Sequence, residues 1–131
     1  EIHLESYCKN VNIEALTSID MVLHQILPAA MHYSRDLCNG IQVKRDNRIS
    51  CLAEAKIAEK LSDSCSELYT GCEKLQKDLN NIPTGKEDIV NYYHDVIVSA
   101  MEELRKNADV LEQLTDKNFW PYPTYSDLLY Y

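Results

Sequence analysis

Glycine and proline are scarce in this chain, three and four of 131 residues. So few breakers exclude a collagen-like or loop-dominated fold and imply long uninterrupted elements. Cysteine pairing signals are also missing. Cys8, Cys38, Cys51, Cys65 and Cys72 form an odd set with no Cys-x-x-Cys pair. Three of them, Cys8, Cys65 and Cys72, fall within apolar helical patterns, so buried reduced thiols are expected rather than a disulfide framework. Positive charge is short as well: 13 Lys and Arg against 21 Asp and Glu give a net charge of −8. That balance argues against a phosphate-binding surface and an anionic membrane, because both attract Lys and Arg. No apolar run approaches the roughly 20 residues of a membrane span, and no cationic-then-apolar leader is present. The chain therefore reads as cytoplasmic, with neither nucleic acid nor membrane as a partner. It begins at Glu1, already inside a patterned segment, and reads as an excerpt of a longer protein.

What is present is helical periodicity. A hydrophobic content of 45% over 131 residues suits one domain, residues 1–131, with a single core. Leu16, Ile19, Leu23, Ile26, Ala30, Tyr33 and Leu37 alternate steps of three and four, which places them on one helix stripe. Leu4, Cys8 and Val11 carry a similar rhythm, so this helix starts either near Ile2 or at Asn12. Asn39 and Gly40 are expected to stop it, Gly being the usual left-handed C-cap. Pro28 lies inside the pattern and predicts a kink near His24, because it removes one backbone donor and crowds the preceding turn. Residues 41–50 lack periodicity and read as a solvated connection, with Ser50 as cap of the next helix. That second helix carries Ile57, Leu61, Cys65, Leu68, Cys72, Leu75, Leu79 and Ile82, a coiled-coil-like seam. After Pro83, Thr84 and Glu87 have the spacing of a capping box. A third stripe follows: Val90, Tyr93, Ile97, Ala100, Leu104, Ala108, Leu111 and Leu114. Short connections favour antiparallel neighbours, so the expected fold is all-α, an antiparallel bundle of about three long helices with the first kinked at Pro28.

From Asn118 the character changes. Phe119, Trp120, Pro121, Tyr122, Pro123, Thr124 and Tyr125 set four aromatics around two prolines, which forbids a regular helix and predicts an extended tail. So much aromatic surface is unfavourable in water, which predicts docking on the bundle or on another surface. Pro28, Trp120, Pro121, Tyr122, Pro123, Tyr125, Leu128 and Leu129 are the candidate structural and docking residues.

Constellations for chemistry are lacking. No Glu has a His three residues on, as a di-iron bundle requires. His3, His24, His32 and His94 miss the i, i+4 spacing of a zinc pair. Cys65 and Cys72 with His94 as partner would be one arrangement for nucleophilic chemistry, but their place in the helical seam makes them core residues first. Lys86 after Gly85 lacks the rest of a phosphate-binding loop. Asp95, Glu102 and Glu103 belong to a solvated face. No catalytic, cofactor-binding or metal-binding residue is assigned.

Two stretches carry a family resemblance. Ala100 to Leu129, AMEELRKNADVLEQLTDKNFWPYPTYSDLL, resembles the C-terminus of type III glutamine synthetases, where a Leu-rich acidic helix leads into a "WP.PTY.DLLF" ending. Trp120, Pro121, Pro123, Thr124, Tyr125, Asp127, Leu128 and Leu129 match in order. Asn12 to Ala30, NIEALTSIDMVLHQILPAA, is similar to the family's first C-terminal helix with its "QILPA" signature, which includes Pro28. Ser126 stands where the family commonly has Gly, and Tyr130 where it has Phe.

The resemblance implies a parent enzyme joining ammonia to glutamate with ATP and magnesium or manganese, on a catalytic domain that lies outside these residues. It implies no catalytic residue or cofactor in this segment. It also implies that the segment packs on its own catalytic domain and on neighbouring subunits of a large homo-oligomer. The expected function is a noncatalytic structural and assembly module. The alternative is an independent helical interaction protein that binds partners through the second helix and the aromatic tail.

Overall fold

The computed structural model describes residues 2–123, with side chains from His3 onward. Three helices account for most of them. Helix α1 spans residues 2–46, as two α-helical segments, Ile2–Met21 and Leu27–Asp46, joined by a π turn at Val22–Ile26. Helix α2 is Leu52–Leu79. Helix α3 spans residues 86–114, with α-helix at Lys86–Tyr92 and Val98–Leu114 on either side of a second π turn, Tyr93–Ile97. At 1.5 Å per residue α1 is about 68 Å long and α3 about 44 Å.

The helices are antiparallel in sequence order. Lys44 near the end of α1 bonds Glu54 near the start of α2. The Tyr92 hydroxyl of α3 donates to the Asp78 carbonyl of α2 at 2.6 Å, while further along the pair a Cβ on Gly71 would sit 3.4 Å from Leu104. Helices α1 and α3 therefore run parallel, and the Tyr93 hydroxyl reaches Asn12 Oδ1 across them.

The stripes of α2 and α3 form the core as expected, except that Ile89 rather than Val90 packs against it at the start of α3. Leu61, Leu68, Cys72, Leu75, Ile97, Leu104 and Leu111 are almost wholly buried, with Ile57, Cys65, Leu79, Ile82, Ala108 and Leu114 packed against them. On α1 the inner stripe is Val11, Ala15, Ile19, Val22, Ile26, Ala30 and Ile41. Leu16, assigned to it above, is 53% exposed because Ala15 takes the inner position.

Pro28 acts where the sequence places it, but through a widened turn. The Leu27 N–H bonds the Val22 carbonyl five residues back, so the ladder has already shifted register just ahead of the proline. A π turn of this kind relieves the crowding that a proline ring imposes on the turn before it.

Three expected boundaries are corrected. Helix α1 does not stop at Asn39–Gly40: Gly40 lies in open space, Ile41 is buried, and the helix runs to Asp46. A Gly in mid-helix costs only about 1 kcal/mol, less than the burial of Ile41 returns. The true stop is a Schellman motif: Arg48 is left-handed at φ 58, Ile49 N–H bonds Lys44 O at 2.8 Å and Arg48 N–H bonds Arg45 O at 3.1 Å. The solvated connection thus shrinks to residues 47–51. Ser50 is not the cap of α2; Cys51 occupies that position with no side-chain bond. Thr84 does not cap α3 either. Gly85 does, and Asp88 three residues on folds against it, so that a Cβ at Gly85 would lie 3.0 Å from Asp88 Oδ2. The capping register falls one residue later than the Thr-x-x-Glu spacing suggests.

Candidate docking site at the aromatic end

Helix α3 ends at Leu114, and Thr115 follows in an extended conformation. The chain does not leave as a straight strand. Phe119 N–H bonds Asp116 O at 2.9 Å and Trp120 N–H bonds Lys117 O at 3.2 Å, while the Asp116 carboxylate accepts the Asn118 N–H at 2.9 Å. An Asp side chain mimicking a backbone turn explains why the tail expected from Asn118 starts only at Trp120.

This turn brings the aromatics onto α1. The Phe119 ring lies 5.3 Å from that of Tyr33, tilted by 43°. Trp120 and Tyr122 are half-buried against the core, and the Tyr122 hydroxyl donates to Gln25 Oε1 inside the first π turn. Burial, and then the nearby Asp20 charge, raise the Tyr122 pKa. Pro121 and Pro123 are exposed. Pro28 is half-buried one turn away on α1. Tyr125, Leu128 and Leu129 lie outside the described residues. The structure thus joins Trp120 and Tyr122 with the Pro28 end of the first π turn. Gln25, the polar partner of Tyr122, stands in the QILPA stretch, but its bonding role was not readable there because it depends on a contact 97 residues away.

Trp120, Tyr122 and Pro123 form one end of a groove of about 440 Å³ between α1 and α3. Its floor is Met21, Val22, Ile26, Val98, Met101 and Leu104, and its rims carry Glu14, Glu102, Asp109 and Glu112 with Arg105. Thr115, at the base of the turn, is buried with no hydrogen-bond partner for its hydroxyl among the described residues.

The groups considered for chemistry are dispersed. His3, His24, His32 and His94 are all exposed. His24 pairs with Asp20 and His94 with Asp95, each at 2.9 Å, and Arg35 lies 3.0 Å from His32. Burial raises the thiol pKa of Cys65, and burial followed by the Glu73 charge raises that of Cys72, so both are held as unreactive thiols. Among the described residues no three His, Cys, Asp or Glu side chains converge as a metal ligand set. No described helix is long and apolar enough to cross a membrane.

A family model described as the glutamine synthetase C-terminal domain matches residues 1–45, which is α1 almost entire. The chain is 31% identical over 134 residues to a glutamine synthetase of Butyrivibrio fibrisolvens, across 99% of its own length and 19% of that protein's. It is 24% identical over 142 residues to the type-3 glutamine synthetase of Dictyostelium discoideum, again across 99% and 19%. The chain spans about a fifth of the length of these relatives. Over α1 the chain matches the glutamine synthetase C-terminal domain family, and over its full length it is similar to about a fifth of each of these glutamine synthetases.

Proposed function

We propose that this chain is the noncatalytic structural and assembly module of a type III glutamine synthetase, an enzyme joining ammonia to glutamate at the expense of ATP. The observation that carries the proposal is the asymmetry of the matches: 99% of this chain corresponds to 19% of each relative. Most of such an enzyme, with the ATP and divalent-metal sites, belongs to the remaining four-fifths. Its partners are then its own catalytic domain and neighbouring subunits of a homo-oligomer in the cytoplasm. The outward face of α1 suits such a role, because Ile13 and Leu16 are each about half exposed there.

The test is the native mass of the polypeptide that carries this segment in an extract of its source cells, followed with an antibody against the chain. A subunit several times heavier than 15.1 kDa, eluting with glutamine-forming activity, is the expected result. A small free protein separated from that activity would overturn the proposal in favour of an independent interaction module. The purified chain is expected to form no glutamine from glutamate, ammonia, ATP and magnesium.

A further inference from the structure

The molecule carries its charge unevenly. Residues 43–56, around the turn from α1 to α2, hold four Lys and Arg against two Asp and Glu, which leaves nine against nineteen in the rest of the chain. Arg45, Arg48 and Lys56 are exposed there, and Lys44 bonds Glu54. Val43, Ile49 and Leu52, between 55% and 66% exposed, stand among them. Apolar surface set among charges of one prevailing sign is what a contact site offers. The Schellman motif fixes its shape, because the Arg48 and Ile49 N–H groups close back on α1.

The groove between α1 and α3 is its complement. The floor is apolar, and the rim sets Glu14, Glu102, Asp109 and Glu112 against the single Arg105. From Ile26 in that floor to Val43 is about 26 Å along α1, so the turn does not reach the groove of its own chain. We propose that the α1–α2 turn of one copy docks in the α1–α3 groove of a second copy, with Val43, Ile49 and Leu52 over the apolar floor and Arg45 and Arg48 at the acidic rim. Charge complementarity selects this pairing, since two grooves or two turns face to face would oppose like charges. The two surfaces differ, so the contact is heterologous: it passes from copy to copy, closing as a ring or running on as a chain. It deepens the assembly role proposed above, and rests on that reading for its place in a larger oligomer. A chain that stays monomeric in the test below would remove the contact and leave the native mass of the parent polypeptide as it was.

Leu61, Leu68, Ile97 and Leu111 are fully buried by the chain's own three helices, so the 131-residue protein serves for the test. In sedimentation its average mass is expected to rise above 15.1 kDa over a concentration range of about 0.01–1 mM. Association should fall as salt is raised from about 0.1 to 1 M, where the screening length shrinks from about 10 to 3 Å. General repulsion between copies of net charge −8 has the opposite sign, since screening it would strengthen association. Two variants at exposed positions, Arg45→Glu/Arg48→Glu and Glu102→Lys/Asp109→Lys, should each keep the helical circular dichroism and weaken association about tenfold or more. Joined in one chain, the four substitutions reverse both partners and leave the net charge at −8, and association should return. A wild-type chain still monomeric at the top of the concentration range would overturn the proposal. So would association that grows with salt, or no recovery in the chain with all four substitutions. Loss in only one of the two variants would assign a symmetric contact through that surface instead.

Discussion

The two π turns have the same length and opposite legibility. Val22–Ile26 is announced by Pro28, whose missing donor and bulky ring require the preceding turn to open. Tyr93–Ile97 contains no proline and has none nearby; its register shift, Val98 N–H to Tyr93 O, has no local cause. Tertiary contacts account for it instead. Tyr93 and Ile97 are both buried, and the Tyr93 hydroxyl reaches Asn12 on the parallel helix. One turn is announced by the chain's own proline and is also held by burial; the other rests on what it packs against alone.

Single-residue deletions test that contrast most severely. Removing Glu103, within regular helix, would rotate everything after it by about 100°, carrying Leu104 and Leu111 off the core. Each buried leucine contributes about 1.5–3 kcal/mol, against a total stability of about 5–15 kcal/mol, so cooperative thermal unfolding should be lost. Removing His94, exposed in the second π turn, restores a continuous α ladder and leaves both flanks facing as before. Its expected cost is only about 1–2 kcal/mol by chemical denaturation. If the two deletions are equally damaging, the widened turn is not an accommodated extra residue.

Ile97 closes the second turn and is fully buried, so Ile97→Ala should cost about 2–5 kcal/mol, read from the urea midpoint at unchanged slope. A cost near zero would show that this turn is not held by its packing. At the first turn, Pro28→Ala should change stability by about 1 kcal/mol or less. The π turn itself should persist, because Val22, Ile26 and Leu27 are buried in the present register. Its disappearance from the structure of the variant would make the proline the sole cause and deepen the contrast.

The smallest effect concerns pH. Burial raises the Tyr93 and Tyr122 pKa values above 10, with the Cys8 and Asp20 charges as second causes. A raised folded-state pKa means stability that is complete below pH 10 and lost as pH climbs through the higher folded values. Melting temperature should therefore fall in the alkaline range above pH 10. Tyr93→Phe and Tyr122→Phe should each reduce that slope, at a cost near neutrality of about 1 kcal/mol or less.

The same division runs through the rest of the molecule. The seams of α2 and α3 were readable because every inward position is apolar and evenly spaced. On α1 small and large residues mix, and the periodicity admits both Ala15 and Leu16; only the neighbouring helices decide that alanine goes inside. Gly40 looked like a helix stop because glycine is a common cap, yet the cap falls on Arg48, a residue type with no preference for left-handed backbone. At the aromatic end, the prolines forbade a regular helix from Asn118, and the aromatics set the expectation of docking. Gln25 and the groove belong to tertiary geometry. The family was legible from Asn12–Ala30 and from the tail; the family model meets the first of these and stops at residue 45.

The unequal lengths of the helices have a mechanical consequence. Helix α1 reaches Asp46 while α3, parallel to it, ends near the level of Tyr33. The last turns of α1 and the first turns of α2 therefore project as a two-helix prong. Ile41 is the last wholly covered residue on one side, Leu61 the first on the other, and Val43, Ile49 and Leu52 are bare at the tip. Amide protons in this prong have less structure to break before they exchange than those near Leu68 or Ile97. It is the part of the bundle that a neighbouring surface can grip and bend without disturbing the core.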